Sequence, residues 1–116
     1  MSKGLVTLFG GSGFIGRYAA RALVEAGWRV RVAVRRPHLA GDVRLAGAPG
    51  WVDIVQANVR NKMSVERAVD GADVVVNLVG ILFEKGPQSF EAAQREGAIN
   101  VAEACRKAGI ERLVHM

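Results

Sequence analysis

The chain is 116 residues long, half of them hydrophobic and 6% aromatic, with a formal net charge of +5. That length limits it to one compact domain, and with few aromatic residues Val, Leu, Ile and Ala must build most of its core. The excess of 16 Lys and Arg over 11 Asp and Glu would suit an anionic partner. However, the basic residues are dispersed, and their densest group (Arg29, Arg31, Arg35 and Arg36) has no interleaved aromatics, which disfavours nucleic acid. Cys105 is the only cysteine, which excludes an internal disulfide; among Ala102, Ala104 and Ala108 it reads as a small buried hydrophobe. No signal-peptide pattern opens the chain and no apolar run approaches the ~18 residues of a membrane span. The default compartment is a reducing cytoplasm.

Leu5 to Phe9 is a short apolar strand that stops at Gly10-Gly11-Ser12-Gly13. From Phe14 the period turns helical, with Ile15, Ala19, Ala22, Leu23 and Ala26 on one face and Gly27 as the stop. Trp28 to Val34 is a second strand, ended by Arg35-Arg36-Pro37 because proline cannot continue a ladder. Residues 38–50 hold Gly41, Gly47, Pro49 and Gly50 and read as an irregular connection, with one helical turn around Val43 to Ala46. A third strand covers Trp51 to Ala57. A short helix follows over Lys62 to Val69, capped by Asn61 or Ser64 and closed by Gly71. Asp73 to Val79 is a buried strand, Gly80 to Ser89 a loop, Phe90 to Ala108 a long helix ending at Gly109, and Arg112 to Met116 the start of a fifth strand.

Strands alternating with helices require right-handed crossovers and a parallel sheet. The expected fold class is α/β, a Rossmann-type doubly wound sheet with strand order 3-2-1-4-5. An apolar last strand with no helix to cover it would leave an exposed edge. Residues 1–116 are therefore expected to be the N-terminal domain of a longer protein, truncated after the start of strand 5.

The segment Gly10-Gly11-Ser12-Gly13-Phe14-Ile15-Gly16 follows a strand, opens a helix and leads to a second strand, the context that gives a glycine-rich turn its meaning. Gly10 permits the sharp turn, a Cβ at Gly13 would block the phosphates, and a side chain at Gly16 would push the helix off the strand. The amides of Ser12, Phe14 and Ile15 then face the pyrophosphate of a dinucleotide, aided by the helix dipole. The plain alternative is a tight turn that binds nothing. A mononucleotide phosphate loop is excluded, because Arg17 and Tyr18 follow Gly16 where Lys and Ser/Thr are needed.

Cofactor type is read at the end of the second strand, where an NAD-preferring site places a carboxylate for the ribose hydroxyls. Here that position holds Arg35, with Arg36 next. A guanidinium pairs with a 2′-phosphate bidentately, so NADP(H) is favoured over NAD(H); Arg17 is a further contributor. One of Arg35 and Arg36 could equally be a solvated strand-end charge.

Taken together, Phe9-Gly-Gly-Ser-Gly-Phe-Ile-Gly16, Val55-Gln-Ala-Asn-Val59, Asn77-Leu-Val-Gly80, Ala98-Ile-Asn-Val101 and Arg112-Leu-Val-His115 resemble the short-chain dehydrogenase/reductase superfamily, in its extended or atypical, epimerase/dehydratase-like branch. They keep the family's order and spacing over essentially the whole chain. More narrowly, Val30-Arg-Val-Ala-Val-Arg-Arg-Pro37 and Asn77-Leu-Val-Gly-Ile-Leu-Phe83 resemble bacterial relatives of the NADPH-binding accessory subunit of respiratory complex I.

The resemblance implies that Asn58, where the family usually has Asp, and Val59 contact the adenine. It implies too that Leu78, Val79 and Gly80 wall the adenine ribose. Asn100 matches a helix Asn that the superfamily uses near the cofactor, with a buried structural amide as the equal alternative; Gly97 reads as a close helix–sheet contact. The family's catalytic groups, a Ser or Thr after strand 5 and a Tyr-x-x-x-Lys beyond it, cannot be placed, and Tyr18 is not set in such a motif. His38 and His115 are isolated, so no catalytic or metal-binding residue is assigned.

Three functions share this site. One is a bound NADP(H) with a structural or sensing purpose in a complex I-related assembly, peripheral to the inner membrane through a partner. Another is an oxidoreductase, epimerase or dehydratase with catalytic residues beyond Met116. The last is a regulator that reads the NADP redox state.

Overall fold

The computed structural model describes residues 3–10, 14–35, 50–78 and 87–115, with the backbone alone at 14–15, 87–94 and 115. Its elements are β1 (Leu5–Phe9), α1 (Phe14–Glu25), β2 (Arg29–Val34), β3 (Val52–Gln56), α2 (Lys62–Val69), β4 (Val74–Asn77), α3 (Pro87–Ala108) and β5 (Arg112–His115). The strands pair in parallel as one sheet of order β3-β2-β1-β4-β5, the doubly wound arrangement expected from the alternation of elements. The expected irregular connection over 38–50, with its helical turn, lies outside the described residues but for Gly50.

Parallel strands joined by right-handed crossovers carry helices on both faces. Alternate residues therefore enter two separate cores. On one face Leu8, Val30, Val32, Val34, Val52 and Leu78 pack against Ala20, with Ala19, Leu23 and Val24 of α1 around them. On the other, Phe9, Ala33, Ala57 and Val75 meet Val65, Ala68 and Val69 of α2 and Val101, Ala104 and Cys105 of α3. β1 lies between both cores, and Val6, Thr7, Leu8 and Phe9 have no exposed surface. Each such aliphatic side chain contributes about 1.5–3 kcal/mol by leaving water.

Three sequence expectations shift. The covered stripe of α1 runs through buried Gly16 and Ala20, with the expected Ala19 and Leu23 and also Val24 half-buried, while Ala22 and Ala26 are exposed. A pattern made mostly of alanines carries too little hydrophobicity to phase a helix. α3 begins at Pro87 rather than Phe90, because proline's fixed φ and missing N–H suit a first helical position. β4 is shorter than expected: Asp73 precedes it, accepting the Leu5 N–H at 2.9 Å through its carboxylate and donating its own N–H to the Leu5 carbonyl at 2.8 Å.

α2 keeps its expected bounds. Asn61 is extended, and its side chain accepts the Ser64 N–H at 3.0 Å, an N-cap. At the other end the Ala68 carbonyl accepts from Thr7 Oγ1 at 2.7 Å and from Arg31 Nη1 at 2.8 Å, and the same Arg31 atom reaches the Asp70 carbonyl at 2.7 Å. A cation on helix-end carbonyls complements the dipole. Arg31, counted from the sequence with a basic group, thus serves as a helix terminator. Three ion pairs tie α2 and the loop before it to α3: Arg60–Glu96 at 3.3 Å, Lys62–Glu103 at 3.8 Å and Glu66–Lys107 at 2.8 Å. All are exposed and add little each. Among the described residues no helix is long and apolar enough to cross a membrane.

Asn61→Ala should lower stability by about 1 kcal/mol, whereas Asn61→Asp should keep it; chemical denaturation midpoints read the difference. Cys105 is buried, and burial pushes its thiol above the ordinary range. Its protonated form is favoured by folding, so the linked stability is full below the pKa of an exposed thiol. It is lost as pH rises from there through the folded value. The melting temperature should therefore fall more steeply above about pH 8.5 in the native chain than in Cys105→Ala.

Candidate functional site

Four strands end side by side, and backbone hydrogen bonds carry the pairing one residue past each end. Gly10 N–H donates to the Ala33 carbonyl at 3.2 Å, Ala57 N–H to Val34 at 2.8 Å, and Leu78 N–H to Phe9 at 2.9 Å. The ladder therefore brings Gly10, Arg35, Asn58 and Leu78 to one edge of the sheet. This is the carboxyl edge at the switch point around β1, where open α/β sheets bind ligands.

Gly10 has φ of +80°, a left-handed conformation that glycine adopts without strain. It turns the chain from β1 toward α1. Phe14 and Ile15 open α1, so their amides are among the helix's first N–H groups, which have no intrahelical acceptor. Gly16 is buried in the first turn of α1. Strand end, positive-φ glycine, helix start and buried glycine together suit a dinucleotide's pyrophosphate. Ser12 and Gly13 lie outside the described residues.

Arg35 is exposed, one residue past β2, at the edge that also carries Gly10. Arg36 lies outside the described residues, as do Val79, Gly80 and His38. Leu78 is buried among the α1-side core residues. Arg17 and Tyr18 are exposed on α1.

The loop after β3 is tied down on both sides. Asn58 N–H donates to Ser64 Oγ at 2.9 Å, Asn58 Oδ1 accepts the Arg60 N–H at 3.0 Å, and the Asn58 carbonyl accepts the Asn61 N–H at 2.9 Å. Asn100, buried in α3, donates from Nδ2 to the Val59 carbonyl at 2.8 Å. Of its two sequence roles, the buried structural amide is the one these residues form. A Cβ on Gly97 would come within 2.7 Å of Val59 Cγ2. Gly97 thus packs α3 on this loop rather than on the sheet. The tie between α3 and Val59 was not foreseen; the paired small and amide residues at Gly97 and Asn100, one helical turn apart, are its signal.

The family model described as NAD(P)H-binding matches residues 10–116. The mitochondrial NADH-ubiquinone oxidoreductase 40 kDa subunit of Neurospora crassa is 34% identical over 95% of this chain and 29% of its own. A ceramide reductase of Caulobacter vibrioides is 32% identical over 93% of this chain and 33% of its own. The chain thus spans about a third of the length of these curated relatives. Among solved structures, a mutant uronate dehydrogenase of Agrobacterium tumefaciens complexed with NAD superposes with a TM-score of 0.78 at 27% identity, over 97% of this chain and 40% of its own. These matches agree with the resemblance to the short-chain dehydrogenase/reductase superfamily and to complex I accessory subunits. The chain belongs to the NAD(P)H-binding family.

Proposed function

We propose that this chain is an NADP(H)-binding domain whose cofactor serves a structural or redox-sensing purpose in a larger protein assembly related to respiratory complex I. The observation that carries the reading is the gathering of Gly10, Arg35, Asn58 and Leu78 at the carboxyl ends of four adjacent strands. The amides of Ser12, Phe14 and Ile15 would hold the pyrophosphate over Gly10, Gly13 and Gly16. Arg35 and Arg36 would take the 2′-phosphate, Asn58 and Val59 the adenine, and Leu78, Val79 and Gly80 the adenine ribose. The chemistry such a cofactor supplies is hydride transfer. The assembly role is supported by likeness to a relative named as an NADH-ubiquinone oxidoreductase subunit; such a domain would sit in a reducing compartment, peripheral to a membrane through its partners.

A second reading, a carbonyl reductase using the same site, is favoured by the likeness to a ceramide reductase. The two separate on the full protein: a Ser or Thr followed by Tyr-x-x-x-Lys and consumption of NADPH with a carbonyl substrate support the enzyme, and the absence of both sinks it.

Arg35→Asp removes a charge-assisted pair and adds repulsion, so it should weaken NADPH by at least about tenfold while changing NADH far less. Fluorescence titration with both cofactors reads this, and equal losses would remove the case for NADP(H).

A further inference from the structure

We draw no further inference here: the strongest candidate, the open pocket at the amino edge of the sheet between Trp28, Asp73 and the turn from α3 to β5, has its Asp73 carboxylate engaged by the Leu5 N–H and its exposed Glu111 and Arg112 opposed in charge, so nothing in the structure shows what covers it.

Discussion

Every feature at the carboxyl edge depends on β1 pairing in parallel with both β2 and β4. Because β1 is the central strand, buried on both faces, its direction dictates where its neighbours end. Parallel pairing places the carboxyl ends of β1, β2, β3 and β4 side by side, although they are far apart in sequence. Side chains do not assemble this edge. Backbone hydrogen bonds do, including those that run past the strand ends through Gly10, Ala57 and Leu78.

What side chains add is local stiffness, unevenly distributed. The loop after β3 is bound by α2 from one side, through Asn61 and Ser64, and by α3 from the other, through Gly97 and Asn100. Arg35, by contrast, ends β2 as an exposed side chain.

The strand order and the helix-start glycines were legible because each follows from local signals: an apolar run, a change of period, and Gly or Asn at an element's end. α2 could be read to its residue bounds since Asn61 and Gly71 mark both ends. The face of α1 was misread because Ala19, Ala22 and Ala26 look alike in sequence, and only the sheet beneath decides which are covered. The roles of Thr7 and Arg31 were not legible, and for Asn100 the buried amide was but its partner was not. Each pairs with a carbonyl distant in sequence. The place of Arg35, one residue past β2 at the carboxyl edge, was legible because the element order alone supplies it.

The capping of α2 by Arg31 bears on how the chain's charge should be understood. One cation of a basic-looking strand faces helix carbonyls, on the opposite side of the sheet from the α1 core, and two of its five guanidinium donors are committed to them. Bonds to neutral carbonyls leave the Arg31 charge in place, so it still counts in the net charge of +5 while its donors hold the end of α2.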